Sequence, residues 1–540
     1  MRLVYLGLAA AALAAQTSTW RPVVLGLDHM VVSGHYAVAQ AGQRMLAQGG
    51  NAIDAAVAAA FTSTVVEPSR AGIGGHSTIL IYLAPTRQVK VIQGNGWAPR
   101  AATPQFFQAR GGIPLDGPLS PLVPGSVAGL LRAAESYGRL DRAKLLAPAI
   151  ELAERGFAVS ENLHNVLGNN AARLQRYPAS TRLWFRDGKP VPAGEVVVQK
   201  ELAQTLRRIA AGGRDGFYQG PTARHIAESL RQQGGILDAA DLEAFVAEEA
   251  APIHIGYQGH ELYMAPPTSY GHVMLEALNI LSGFDLRRMG HNSADYLHHV
   301  VEALKLSFAD RDAREGLPME RLLSKEHAAA RRAGIRPDRA LEVPGPAAEK
   351  GTTYVGVIDR DRNMVSITST ISSDFGSCVT VDGFFLNNWM SLFRPGPGDR
   401  NAPGPRRRPR HGLSPVLVLE DGRPRLVFGT PGGDTIPQAQ LQFFLNYVEF
   451  GMGLQQALEQ PYALTSAFVA SRVPYEVRGR LSLATRIGAE VRAELARRGH
   501  RLDSHSTLGV GSVKAIRIDP RTGVLAGAVA PATDSYAIGW

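Results

Sequence analysis

Two strand-like runs flank a polar stretch within residues 352–371. Residues 352–358 are rich in β-branched and aromatic types, 359–363 form a polar stretch, and 364–371 are again strand-like, which predicts a β-hairpin. Further strands are predicted at 77–83, 257–264, 416–420 and 425–428, with a closing hairpin around Pro520-Arg521-Thr522-Gly523. Helical spacing of apolar residues predicts helices over 40–50, 52–62 with Asn51 as cap, 126–137, 145–154, 202–211, 222–233, 272–281, 295–309, 437–447 and 484–499. Within 295–309, His298, His299 and Glu302, with Asp310 just beyond, look briefly like metal ligands. Adjacent histidines point in different directions on a helix, so a solvated helix face is the reading here. Residues 311–350 are polar, Ala-rich and broken by Pro337, Pro344 and Pro346, and read as a mobile segment leading to Gly351. Residues 389–409 read as an exposed Pro/Gly/Arg loop containing Arg406, Arg407 and Arg408.

Composition narrows the classes. A chain of 540 residues can bury one large core or several, and its net charge of +9 is modest and scattered. Without a basic stripe carrying aromatics, nucleic acid is not an expected partner. Cys378 is the sole cysteine, which excludes a disulfide framework and a Cys-based metal site; it reads as a small buried residue. No metal and no cofactor are expected. Residues 3–15 form an apolar run after Arg2 that ends in small residues and is too short to span a bilayer. Residues 1–15 therefore read as a signal peptide, with a periplasmic or secreted location expected and a cytoplasmic one as the alternative. No stable membrane insertion is expected.

The candidate chemistry lies at the start of the hairpin. Gly351-Thr352-Thr353-Tyr354, the turn ending in Asn363, then Thr370, Phe375-Gly376-Ser377 and Leu386-Asn387-Asn388 resemble the γ-glutamyltransferase family of N-terminal-nucleophile hydrolases. So do the stretch from Gly49 to Gly75, Pro124-Gly125-Ser126 and Gly432-Gly433, and the resemblance covers nearly the whole chain beyond about residue 28. It implies an α+β fold, a four-layer αββα sandwich built jointly by two fragments of one autoprocessed precursor. Residues 16–351 would be the large subunit and 352–540 the small catalytic one, associated as a heterodimer. It implies cleavage between Gly351 and Thr352, Thr352 as nucleophile, Thr370 orienting it, and backbone N–H groups of Gly432 and Gly433 facing the oxyanion. The chemistry suits the residue type. A threonine hydroxyl needs a base, and an N-terminal threonine carries its own α-amine, with a pKa of about 7.7–8.0. The family segment matching 394–410 can cover the substrate, so a short lid is a further expectation.

The expected specificity shell departs from the family. Asn95 aligns with the Arg that holds a glutamyl α-carboxylate, His411 and Gly412 with paired serines, and Trp389 and Leu392 with the polar and acidic residues that hold the α-amine. Ser372 stands where Asn is usual. The expectation is an amidohydrolase acting through an acyl-Thr352 ester on a small amide, such as oxamate, or another acyl amide, with water or an amine as acceptor. The alternatives are a true γ-glutamyltransferase or glutathione hydrolase, and a non-catalytic binding protein on this fold.

Overall fold

The computed structural model describes residues 19–313, 317–341, 351–396, 398–473, 475, 479–506, 511–531 and 533–540. The segment read as a signal peptide lies outside the described residues, as does 342–350.

Two seven-stranded antiparallel sheets form the centre. In the first, Tyr536–Gly539, Met30–Ser33, Thr353–Ile358, Met364–Thr370, His76–Leu83, Gln88–Gly94 and Glu248–Ala250 lie side by side. In the second the order is Val24–Gly26, Leu525–Val529, Lys514–Ile518, Arg423–Gly429, Val416–Glu420, His260–Met264 and Ile253–Tyr257. The hairpin forms as predicted, with Thr353 opposite Ser369 and Ile358 opposite Met364. Its alternation sends successive side chains to opposite faces. Tyr354, Ile358 and Met364 join Leu80, Leu417, Val427 and Ile516 between the sheets. Val355, Val357, Val365 and Ile367 face the helix Ala52–Val66 and its neighbours. On the outer side of the second sheet, His272–Leu281, Ala294–Ala313 and Ile436–Val448 share another core with Val416, Val418 and Phe428. The layers are thus helix, sheet, sheet, helix.

Helix Ala52–Val66 is buried along its whole length, which its run of alanines permits. Asn51 caps it, accepting from the N–H groups of Ile53 and Asp54 while Asp54 accepts from Asn51 N–H, a capping box. The hairpin strands of the candidate small subunit run between Met30–Ser33 and His76–Leu83 of the candidate large one. The halves therefore share both sheets rather than forming separate lobes.

Several sequence expectations need correction. The helix carrying His298, His299 and Glu302 spans Ala294–Ala313, and these residues and Asp310 are buried, not solvated. His298, Glu302 and Lys305 lie on one helix face at i, i+4 and i+7. His298 Nε2 meets the carbonyl of Arg336 at 2.7 Å, Lys305 donates to Glu302 at 2.7 Å and to the carbonyl of Leu341 at 3.0 Å, and Leu341 N–H donates to Glu302 at 2.7 Å. This network explains a second correction. Residues 317–341 are not a loose tether but carry the helices Met319–Leu322 and Lys325–Arg332 and are tied to the helix before the cleavage segment. The run predicted as one strand at 257–264 is two, Ile253–Tyr257 and His260–Met264, and residues 480–484 form a strand ahead of the helix Ala489–Arg497. Among the described residues, no helix is long and apolar enough to cross a membrane.

Burial holds several histidines neutral. It lowers His76, His411 and His500 to about 3, and His35, His291 and His505 to about 4. In the unfolded chain each returns to about 6.5. The unfolded state therefore binds more protons below that pH, and stability present above it drains away as pH falls towards 4. The thermal unfolding midpoint is expected to be flat near pH 7–8 and to fall steeply below about pH 6. A midpoint unchanged down to about pH 4.5 would contradict this.

Candidate active site

The cleft collects residues from distant parts of the chain. Thr352, Thr370, Ser372, Trp389, Leu392, His411, Gly412 and Gly433 line it, together with Tyr270, Leu413 and Ile436, which sequence reasoning missed. Its volume is about 30 Å³, room for a water molecule or two. Three devices bring these residues together. The hairpin places Thr370 across from Thr352. The loop after Thr370 docks on the glycine-rich segment, with Ile371 N–H donating to Arg70 O at 3.1 Å and Asn387 N–H to Gly74 O at 3.0 Å. His411 is fixed by its N–H donating to Thr268 O at 3.0 Å, which brings Tyr270 to the cleft.

At the centre is a chain of hydroxyls. Thr352 donates to Thr370 Oγ1 over a long 3.4 Å, Ser372 N–H donates to the same oxygen at 2.8 Å, and the Thr370 hydroxyl donates to the carbonyl oxygen of Gly351. Thr370 has one proton, and it points at the peptide bond between Gly351 and Thr352. Gly351 sits at φ +123°, and a Cβ there would lie 2.1 Å from the carbonyl oxygen of Ser372. Only glycine fits this backbone without strain.

Gly432 and Gly433, at φ +137° and +56°, form a turn, and Gly433 lines the cleft. The next residue, Asp434, anchors that turn from behind. It is buried and accepts from Tyr270 Oη at 2.9 Å, Arg311 Nη1 at 2.9 Å and Ser471 N–H at 3.1 Å. Arg311 also donates to Val469 O at 2.6 Å and lies over the rings of Tyr270, Phe308 and Phe468. The candidate oxyanion turn of one half is therefore held by a helix of the other.

Asn95 does not line the cleft but sits behind it. Its amide meets His411 Nε2 at 3.1 Å and Thr78 Oγ1 at 3.2 Å, while Trp389 packs between His76 and His411 with ring centroids 4.0 and 5.0 Å away. Burial and the neighbouring His76 and Arg408 keep His411 neutral. The place where the family holds a glutamyl α-carboxylate is filled by a neutral cluster of Thr78, Asn95, His76, Trp389 and His411. Gly351 and Gly432 are likewise not among the lining residues. Cys378 is buried away from the cleft, and burial pushes its thiol up to about 12. The Arg406–Arg408 loop packs on the large-subunit segment, Arg406 N–H donating to Ala98 O at 3.1 Å and Ala98 N–H to Arg407 O at 2.8 Å.

The four-layer αββα sandwich is the fold of the N-terminal-nucleophile hydrolases. A family model described as gamma-glutamyltranspeptidase matches residues 38–540, and the chain belongs to that family. It is 37% identical over 533 residues to a glutathione hydrolase-like YwrD proenzyme of Bacillus subtilis, covering 96% of this chain and 99% of that protein. It is 36% identical to an acylase ACY 1 proenzyme of a Pseudomonas species, covering 93% of this chain and 92% of that one. A cephalosporin acylase crystal structure from Bacillus halodurans superposes with a TM-score of 0.89 at 31% identity, over 97% of this chain and 98% of that one. The chain is thus an amide hydrolase of this family.

The anchoring of Asp434 can be tested by stability. Asp434→Ala leaves the buried Arg311 with Asp312 as its only carboxylate partner and is expected to cost about 1.5–3 kcal/mol. Tyr270→Phe removes one neutral donor and is expected to cost about 0.5–1.5 kcal/mol. Denaturant unfolding of both variants checks the ordering; equal, small losses would show that the anchor does not hold the turn.

Proposed function

We propose that the chain cuts itself between Gly351 and Thr352 and then hydrolyses a small amide through an ester on Thr352. The acyl half of that substrate lacks the paired α-ammonium and α-carboxylate of a γ-glutamyl group. The arrangement supporting the first part is the hydroxyl relay. As Thr352 Oγ1 attacks the Gly351 carbonyl carbon, its proton passes to Thr370, whose own proton already faces the carbonyl oxygen. The C–N bond then breaks as the tetrahedral carbon's hydroxyl, protonated through Thr370, gives its proton to the Thr352 nitrogen, leaving Gly351 esterified to Thr352 and the α-amine free. Water hydrolyses the ester and releases the Gly351 carboxylate.

In turnover the freed α-amine of Thr352 takes the hydroxyl proton as base. The substrate carbonyl is attacked, and N–H groups of the Gly432–Gly433 turn receive the oxyanion; one such donor typically contributes about 10²–10³ in rate. The amine half leaves with the proton, and water or an amine takes the acyl group from Thr352. The cleft's size and lining support the substrate reading. It is small, and no side chain lining it carries a formal charge, since His411 is held neutral. Burying a charged head group without partners is costly. A variant of this reading admits an acyl group with a single carboxylate, such as oxamate, because Arg472 donates to Ser372 Oγ at 3.4 Å at the edge of the cleft. The second reading, a glutathione hydrolase, is favoured by the names of relatives such as the Pseudomonas sp. (strain A14) proenzyme, 36% identical over 463 residues.

Two measurements separate these readings. The purified chain is expected to run as two bands, the smaller beginning Thr-Thr-Tyr-Val, and Thr352→Ala to stay whole and inactive; normal cleavage in that variant would refute the assignment. Against glutathione the processed enzyme is expected to fall well below about 10⁴ M⁻¹s⁻¹, the lower end of usual efficiencies. Turnover above that value would favour the second reading.

A further inference from the structure

A second cavity, of about 660 Å³, lies beside the cleft. Arg311, Arg394, Arg400, Arg407, Arg408 and Arg410 line it, against Asp312 and Asp399. Volumes of a few hundred to a thousand cubic ångströms are typical of small-molecule sites. The cavity adjoins the candidate active site. Thr268 belongs to its wall, and Thr268 O receives the N–H of His411, which lines the cleft; Arg410 precedes His411 in the chain, and Arg394 lies two residues beyond Leu392.

The charges there are unevenly matched. Asp312 alone is shared by Arg410 at 3.0 Å, Arg311 at 3.3 Å and Arg394 at 3.6 Å. Arg311 turns its other nitrogen to Asp434, and Arg408 leans outward on Glu248 at 3.0 Å. Crowding guanidinium groups around one carboxylate in a half-buried hollow costs free energy, and the cost shows at Arg410. Burial and the neighbouring Arg311 and Arg394 lower its pKa against the pull of Asp312. A bound anion would relieve this repulsion, and the planar guanidinium matches carboxylate and phosphate oxygens in paired hydrogen bonds.

We propose that this arginine-lined cavity binds a small organic anion bearing carboxylate or phosphate groups, next to the Thr352 cleft. The proposal extends the amidase reading, because such an anion can be the amine half of the substrate itself or a separate ligand.

Binding is measured by calorimetry on the processed enzyme, with citrate and with inorganic phosphate as probes, and needs no turnover. Wild-type protein is expected to bind at least one of them with an affinity that falls as salt rises. Arg394→Gln is expected to weaken binding about tenfold or more, and Asp312→Asn to tighten it. Opposite shifts separate charge from general damage, which would weaken both. Two kinetic arms then identify the source. If the anion is part of the substrate, Arg394→Gln raises KM for an N-acyl glycine but not for the matching N-acyl glycinamide. If it is a separate ligand, citrate alters turnover of the glycinamide without competing with it. Absence of binding to both probes, or binding unchanged in both variants, would overturn the proposal. An enzyme that binds citrate but hydrolyses no amide would instead contradict the amidase reading alone.

Discussion

The hydrogen bond from Thr370 to the carbonyl of Gly351 is the constraint on which the site depends. It crosses the hairpin at its open end, where a strand pair alone would leave the entering chain unguided. For it to form, Thr353 must pair with Ser369 so that Thr370 falls opposite Thr352, and Ser372 N–H must turn back onto the Thr370 oxygen. The close approach of Ser372 O to Gly351 then follows, and with it the requirement for glycine at the proposed cleavage position. One hydroxyl thereby ties the geometry of a β-hairpin to the reactivity of a peptide bond.

On the proposed mechanism the surroundings divide into a part that serves reaction and a part that serves selection. Thr352, Thr370 and the Gly432–Gly433 turn are set on rigid elements, and the Asp434–Arg311 pair supports the turn from the opposite half of the chain. The selecting part differs. Thr78, Asn95, His411 and Trp389 close on one another as neutral partners, leaving a narrow cleft whose lining side chains carry no formal charge. Positive charge lies one wall further out, in the arginine cavity. Relatives named as glutathione hydrolases and as acylases share the fold at similar identity. The fold alone therefore does not decide the substrate.

Much of this was legible in the sequence where the signal was local. The helix His272–Leu281 has the predicted ends, the Asn51 cap is present, and the hairpin forms where two β-branched runs flank a polar turn. The family residues also named most of the cleft lining. What could not be read was set by partners far away in the chain. Tyr270 and Ile436 reach the cleft only because the segments around His411 and Asp434 draw them there. His298 and Glu302 looked solvated because nothing local in the sequence hints that Lys305, His500 and the backbone of 336–341 will satisfy them in the interior. Asn95 illustrates the same limit: its type showed that a cation was absent, but not that its amide would be spent on His411.

The central claim is that Thr370 activates the Gly351 carbonyl for self-cleavage. It is tested most directly by following maturation of freshly refolded precursor on a denaturing gel, comparing Thr370→Val and Thr370→Ser with the wild-type chain. Valine keeps the shape and removes the proton, whereas serine keeps the proton and removes a methyl. Since hydrogen bonds that strengthen as charge develops are worth about 1.5–3 kcal/mol, the valine chain is expected to mature roughly ten- to a hundredfold more slowly, with serine restoring most of the rate. Valine and wild-type precursors maturing at the same rate would contradict the account.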